Sequence, residues 1–296
     1  MGQFVPPPGT VRPQPSSSGT GAASRSARQQ EQMLAKLQPL LGRVMEPGER
    51  VLTAARACAP YGVLEFLTTG WIIVVVKRCV LVFTDRRILH VPTTRGYASR
   101  ESVAEIRYGD IATMSFSLFG GVKLVYRDGR KETFSGIPRK ELKVIRERIS
   151  PLAGAGTMTP LAGRHHICPR CRVALQADRW ECPGCGLEFK SRARAHRLSL
   201  LAPGGGYFYT RHPILGFVDA IVETYLLVFL LMAFALAFGG DTPEDTAAGW
   251  AMLVFAGIFL AIEKVITIYH ADHYVREFLP VDMRFGRAPA LAGAAP

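Results

Sequence analysis

The sequence predicts a multi-domain α+β membrane protein, and three observations predict it. Residues 51–137 alternate β-branched runs with turn signals, two CxxC pairs stand at 168–171 and 182–185, and two long apolar stretches occupy 214–238 and 247–269. The overall composition conceals this division. Of 296 residues 48% are hydrophobic and the mean hydropathy is +0.14, an average that hides the concentration of apolar residues in the last third. That length accommodates soluble modules of ordinary size beside a membrane segment. The balance of 36 Lys+Arg against 24 Asp+Glu, a net charge of +12, calls for an anionic partner, either a membrane surface or nucleic acid. No nucleic-acid fold signature accompanies the charge, whereas basic residues mark the cytoplasmic flanks of membrane spans, so the membrane explanation leads.

Residues 1–28 are rich in Pro, Gly, Ser and Gln and nearly free of large apolar side chains, which predicts a disordered tail. The start, MGQFVPPPGTVRPQP, lacks the apolar core of a secretory signal, and Pro6 stands where a myristoylation motif needs a hydroxyl residue. Over 29–44, Met33, Leu34, Leu37, Leu40 and Leu41 recur at helical spacing around Pro39 and predict a short amphipathic helix.

The module over 45–150 is strand-rich. Residues 71–76, WIIVVV, read as a continuous apolar strand, and Lys77 and Arg78 end the run too soon for a membrane span. Further strands are expected at 80–83 and 88–91, either side of the turn Thr84-Asp85-Arg86-Arg87. Val122, Leu124 and Tyr126 alternate with Lys123 and Arg127, Asp128-Gly129 makes a tight hairpin turn, and 132–134 return. After Pro138, Leu142, Ile145 and Ile149 form the apolar stripe of a helix whose other face carries Arg139, Lys140, Lys143 and Arg146.

The stretches GERVLTAARAC, CVLVFTDRRILHV, EIRYGDIATMSFS and VKLVYRDGRKETFSGI, with the closing helix, resemble a bacterial PH-like domain, related in layout to eukaryotic PH and GRAM domains. The most specific piece is LVFTDRRILHV followed by Ile106, Tyr108 and Ile111. The resemblance implies a small, partly open β-barrel with a C-terminal helix, and the binding of lipid headgroups or peptides. Lys123, Arg127, Arg130, Lys131 and Arg139 are the expected contacts to lipid or partner, each worth about 1 kcal/mol near an anionic membrane surface.

Residues 151–163, rich in Ala, Gly, Pro and Thr, predict a flexible linker. The module over 164–190 carries the chemistry. Four of the six cysteines fall in Cys168-Pro-Arg-Cys171 and Cys182-Pro-Gly-Cys185, with ten residues between the pairs, while Cys58 and Cys79 stand alone in apolar surroundings. This is metal-ligand spacing in a reducing compartment, not a disulfide framework. Each CxxC turn points two thiolates at one ion, and two turns complete a tetrahedral S4 shell, so Cys168, Cys171, Cys182 and Cys185 are expected to hold one Zn2+. Iron is chemically possible in the same shell. A thioredoxin-type dithiol is disfavoured because the βαβ context is missing. A closed four-ligand site has no open position for water, so the metal is expected to be structural and to supply most of the folding free energy of so short a module. Leu175, Trp180 and Phe189 are its expected apolar supports, and His165 and His166 its expected surface residues. Over 167–189 the motif resembles short zinc ribbons, a family that implies contact with nucleic acid, contact with protein, or a simple cap beside a membrane segment.

The apolar stretches at 214–238 and 247–269 predict two transmembrane helices. The loop 239–246 holds Asp241, Glu244 and Asp245 without Lys or Arg, whereas Lys190, Arg192, Arg194, Arg197 and Arg211 precede the first helix and Arg276, Arg284 and Arg287 follow the second. The positive-inside rule then predicts a multi-pass protein of the cytoplasmic (inner) membrane with an extracytoplasmic loop and both termini, including the tail 270–296, cytoplasmic. The approach segment, 191–213, combines basic residues, a flexible Gly204-Gly205-Gly206 and the headgroup-level aromatics Tyr207, Phe208 and Tyr209. Counted from the loop, Glu223 and Lys264 lie at similar depth, about fifteen residues inward at 1.5 Å each, and are expected to pair, with Asp219 and Glu263 nearer water.

No G-x-S-x-G, P-loop, H-E-x-x-H or paired-carboxylate scaffold occurs, and the expected protein is non-enzymatic. The sequence predicts a membrane-anchored adaptor or sensor that binds a lipid or protein partner. The alternative is nucleic-acid binding by the ribbon and its basic extension, 190–197.

Overall fold

The computed structural model describes residues 21–118, 120–157, 159 and 163–282, and the chain divides into two compact units. One contains the described residues up to Gly62, residues 73–188 and Asp282; the other contains residues 63–72 and 189–281. Most of the expected N-terminal tail, and the C-terminal tail from Met283, lie outside the described residues.

In the first unit the elements are α1 (Gly21–Val44), β1 (Val51–Cys58), then, after a segment belonging to the second unit, α3 (Ile72–Val76), β2 (Arg78–Thr84), β3 (Arg87–Pro92), β4 (Val103–Arg107), β5 (Ile111–Ser117), β6 (Gly121–Tyr126), β7 (Lys131–Phe134), α4 (Arg139–Val144) and β8 (His165–Ile167). Helix α1 begins at Gly21, eight residues before the expected start at Gln29, because Ala22, Ala23, Ala27 and Arg28 are strong helix formers.

The strands form an antiparallel sheet in the order β1-β2-β3-β4-β8 and a second one in the order β5-β6-β7. Paired backbone bonds between Cys58 and Ser135, of 2.8 and 3.1 Å, tie the two sheets together at one end. The larger sheet is buried on both faces. Met33, Leu37, Leu40, Leu41 and Val44 of α1 cover Val80, Val82, Leu89, Val91 and Val103, while Leu81, Phe83, Ile88 and Ile106 face Leu124 and Phe134 of the small sheet and Leu142, Ile145 and Ile149 of the closing helix. Burial on both faces explains why CVLVF is a continuous apolar run with no alternation. The helix read as a short lead-in is thus a packed layer.

The run at 71–76, expected as a strand, is helical. Gly70 turns the chain with φ +55°, and Ile73 and Val76 are buried three residues apart, the spacing of a helix. Six apolar residues satisfy either period, so their type alone does not decide. The linker 151–163 is tied down where it is described: Gly154 N–H bonds Tyr108 O at 2.9 Å, and Thr159 donates to Asp110 from its backbone at 2.7 Å and its hydroxyl at 2.8 Å. Past it, β8 pairs with β4, so the cysteine module is continuous with the large sheet instead of hanging from a free tether.

The second unit holds α2 (Val63–Thr69), α5 (Arg192–Leu201), α6 (Gly205–Tyr209), α7 (Pro213–Gly239) and α8 (Pro243–Val275). Helices α7 and α8 are long and apolar enough to cross a membrane, spanning about 40 and 50 Å at 1.5 Å per residue. Ala233, Ala237, Gly249 and Ala256 are buried between them, and a Cβ on Gly249 would lie 2.3 Å from the backbone nitrogen of Ala237. Small residues let the two backbones approach this closely. The loop expected at 239–246 shrinks to 240–242, because Thr242 caps α8 by accepting from Asp245 N–H at 3.1 Å, Pro243 takes the first helical position, and Glu244 and Asp245 complement the helix dipole.

Candidate metal centre and membrane hairpin

The metal-ligand cysteines converge. The four sulfurs of Cys168, Cys171, Cys182 and Cys185 lie within 4.8 Å of one another, with Cys168 and Cys185 3.6 Å apart and Cys171 and Cys182 3.4 Å apart. Tetrahedral Zn–S bonds of about 2.3 Å require sulfurs about 3.8 Å apart, so the shell accepts the ion with small relaxation. The local sequence builds it from two similar turns. Arg172 N–H bonds Cys168 O at 2.9 Å and Gly186 N–H bonds Cys182 O at 3.0 Å, each from a residue at positive φ, +66° and +67°. These turns aim backbone N–H groups at sulfur: Arg170 and Cys171 toward Cys168, Gly184 and Cys185 toward Cys182. Burial still pushes the Cys168 thiol up, whereas at Cys182 burial is outweighed by those donors together with the side chains of Cys171 and Cys168, and the thiol is lowered. A side chain at Gly184 would crowd the site, since a Cβ there would meet Val173 Cγ2 at 2.8 Å and Cys171 Sγ at 3.2 Å.

The supports differ in part from those expected. Leu175 is buried, but Trp180 is half-exposed, and Phe189 belongs to the second unit, where it bridges to Pro280 and packs edge-on against Phe278. Leu187 and Ile167 supply the buried apolar surface. His165 and His166 are strand residues of β8, and His165 Nε2 lies 2.9 Å from Glu105.

That contact joins a buried ion network which sequence reading missed. Arg87 is 3% exposed and donates to Glu49 at 2.8 and 3.0 Å, to Val44 O at 3.0 Å, and to Glu105. Burial alone would raise Glu105; the bonds from His165 and Arg87 and the neighbouring Arg107 charge hold it at about 2. In the same turn the Thr84 hydroxyl accepts from Arg86 N–H at 3.1 Å and Arg87 N–H at 3.0 Å. The TDRR motif is therefore a structural clamp.

The expected lipid contacts Lys123, Arg127, Arg130, Lys131 and Arg139 are all exposed. Lys123 and Lys131 lie on the outer face of the β6–β7 pair, while Arg130 bonds Asp128 at 2.5 Å and Arg127 bonds Gly154 O at 3.1 Å. A second basic feature escaped notice: a cavity of about 140 Å³ whose lining includes Arg56, Arg78, Arg95, Thr93, Thr94 and Tyr97. These residues come from the ends of three strands and a loop, so no local spacing signals them.

In the second unit Lys264 Nζ lies 2.5 Å from Glu223, 2.8 Å from Ser199 O and 3.6 Å from Glu263. Glu223 also accepts from Gly204 N–H at 3.3 Å. The Thr267 hydroxyl lies 3.1 Å from Asp219 and 2.7 Å from Glu263, and the carboxylates of Asp219, Glu223 and Glu263 bring oxygens within 4.8 Å of one another. The approach segment is packed, not flexible. A Cβ on Gly204, Gly205 or Gly206 would meet Gly216 O at 2.2 Å, Leu198 O at 2.3 Å or Ser199 Oγ at 2.0 Å. Tyr207 is buried and bonds His270 at 2.6 Å, so among the three aromatics only Phe208 is exposed. The basic stretch 190–197 is partly spent internally: Lys190 bonds Tyr209 O, Arg192 pairs with Asp272, and Arg194 lies over the Tyr209 ring at 5.7 Å. Burial and the charges of Arg211 and Arg194 lower Lys190 to about 8.

No protein-family model and no curated protein matches the sequence. Among solved structures, the chain is similar to one described as the C-terminal domain of an unknown protein from Leishmania infantum, at 12% identity and a TM-score of 0.27, over 40% of this chain and 93% of that one. A likeness that low carries no inference about fold or function.

Proposed function

We propose that the protein is a non-enzymatic, membrane-anchored adaptor or sensor of the cytoplasmic membrane, whose PH-like domain and zinc ribbon stand on the cytoplasmic side and bind a lipid or protein partner. One observation carries the anchoring. Of the most apolar 18-residue window in each long helix, only 17% in α7 and 11% in α8 is buried, the reverse of a soluble core helix. Tyr225, Leu231, Phe255 and Val265 instead point outward, as lipid-facing residues do. The basic flanks of the pair support a cytoplasmic side for both termini.

Zinc fits the sulfur geometry and the N–H donors, and Cys168, Cys171, Cys182 and Cys185 would hold it as a closed structural site. When bound, the ion supplies folding free energy to the ribbon. Anionic headgroups suit two places, the Lys123 and Lys131 face and the cavity ringed by Arg56, Arg78 and Arg95. Nucleic acid is the weaker alternative, since Lys190 and Arg192 are engaged inside the second unit.

The test uses the full chain in nanodiscs with and without anionic lipid. Slowed amide exchange over 121–134 or around Arg56 and Arg95 with anionic lipid supports a lipid ligand; unchanged exchange leaves a protein partner, to be captured from solubilised membranes. Metal analysis should find one zinc per chain, lost on Cys182→Ser, and zinc retained in that variant would refute the ligand set.

A further inference from the structure

The short helix α2 is built inside out. Its buried residues are Glu65, 2% exposed, and Thr69, 8% exposed, while Val63, Leu64 and Leu67 are 77%, 54% and 73% exposed and Trp71, just past its end, is 84% exposed. A helix facing water hides its apolar residues and shows its polar ones. The polar side of α2 is instead fixed to the end of α8: Glu65 lies 3.2 Å from His273 Nε2, and the Thr68 hydroxyl lies 2.8 Å from His270 Nε2. The segment lies in sequence between β1 and β2 of the other unit, yet it packs with the hairpin.

We infer that α2 and Trp71 form an interfacial anchor that lies in the cytoplasmic leaflet with Val63, Leu64, Leu67 and Trp71 immersed at the boundary between headgroups and acyl chains. The inference rests on the membrane reading above and deepens it. Two observations select lipid as the occupant. His270 and His273 follow Lys264 by six and nine residues, which sets the docking point of α2 about 9 to 14 Å further along the axis toward the cytoplasm, the level of the headgroups. The exposed apolar surface is also continuous along α8 up to that level, through Ile262, Val265 and Tyr269. Tryptophan is the residue most suited to this level, and an apolar face of this kind buries about 5 to 10 Å into the boundary.

The test is fluorescence of the full chain in vesicles, with Trp71 as the sole tryptophan after Trp180→Phe and Trp250→Phe. Brominated lipids carrying bromine near the headgroup should remove the larger part of its emission, and the emission maximum should be blue-shifted. Emission that resists bromolipid but responds to aqueous iodide would overturn the inference, as would a blue shift that disappears on dilution of protein in lipid, which marks a second copy as the occupant. A parallel protein lacking all three tryptophans and carrying Tyr225→Trp reports on the span itself. Quenching of that residue by deep bromine without quenching of Trp71 sinks only the interfacial anchor, and quenching of neither sinks the anchoring as well.

Discussion

Helices α1 and α2 sort their residues in opposite ways. The first hides Met33, Leu37, Leu40 and Leu41 and turns Arg28, Glu31 and Lys36 outward; the second hides Glu65 and Thr69 and turns leucine, valine and a following tryptophan outward. The same rule, that a helix buries what its solvent rejects, yields both patterns once the solvents differ. Buried charge repeats the contrast. Arg87 in the first unit and Lys264 in the second each sit among carboxylates, but Arg87 spreads its fork over Glu49, Glu105 and a carbonyl, whereas Lys264 meets Glu223 as a single point charge.

The sharpest way to break this contrast is to remove the larger network. Arg87→Met leaves Glu49 and Glu105 buried without their main cation, and it should cost about 3 to 5 kcal/mol of stability in the first unit, measured by denaturant unfolding of the purified protein. The same network has a pH signature. Glu105 is held at about 2 in the native state against an ordinary 4.5, so the native carboxylate stays charged while the unfolded chain takes up a proton below 4.5. The Glu105 contribution should be flat above that pH and be lost as pH drops from 4.5 toward 2. Buried His90, pushed well below its ordinary 6.5 by burial and by the charges of Arg164, His166 and Lys77, adds a separate loss that begins below 6.5. Glu105→Gln should shrink the lower limb, leaving the part due to Glu49, which Arg87 also lowers, and keep the upper; an undiminished lower limb would place the acid sensitivity elsewhere.

The two leucines give the direct comparison. Leu37 is 0% exposed, and Leu37→Ala should cost about 2 to 5 kcal/mol. Leu67→Ala, at a position 73% exposed, should change stability in detergent by less than about 0.5 kcal/mol. Equal costs would mean that protein, not lipid, covers α2.

Features set by local spacing were legible in the sequence. The Asp128-Gly129 hairpin, the stripe of Leu142, Ile145 and Ile149, and the gathering of four cysteines each follow from contacts a few residues apart or from a fixed ligand count. What stayed hidden depended on partners far along the chain. The pairing of three-residue β8 with β4 has no signal of its own, and Arg87 looks like any turn arginine until Glu49 and Glu105 close over it. The run WIIVVV satisfies two periods at once, and only its packing chose the helix. Gly204, Gly205 and Gly206 read as flexible because glycine permits motion, but here it permits contact with the backbone at Leu198 and Gly216 and with the Ser199 side chain.

A smaller effect than the loss of Arg87 is expected for Lys264 and Glu223. Counting residues inward from the loop set them at one depth, and their 2.5 Å separation offers a charge pair that a bilayer should favour. The coupling is nonetheless modest for two reasons. Lys264 keeps a second acceptor in Ser199 O, and the partly unfolded helices in a membrane find substitute partners for freed polar groups. A double-mutant cycle of Lys264→Ala with Glu223→Gln, read as thermal stability in detergent, should therefore give a coupling of about 0.5 to 1.7 kcal/mol. That is well below the cost of losing Arg87, because a lysine on a flexible stem can turn toward the membrane surface while the arginine fork is enclosed on all sides. A coupling near zero would show that Ser199 and Glu263 hold Lys264 without Glu223. A coupling as large as the Arg87 loss would mean that the pair is sealed from water as fully as the network of the first unit, and the contrast between the two units would then rest on their apolar surfaces alone.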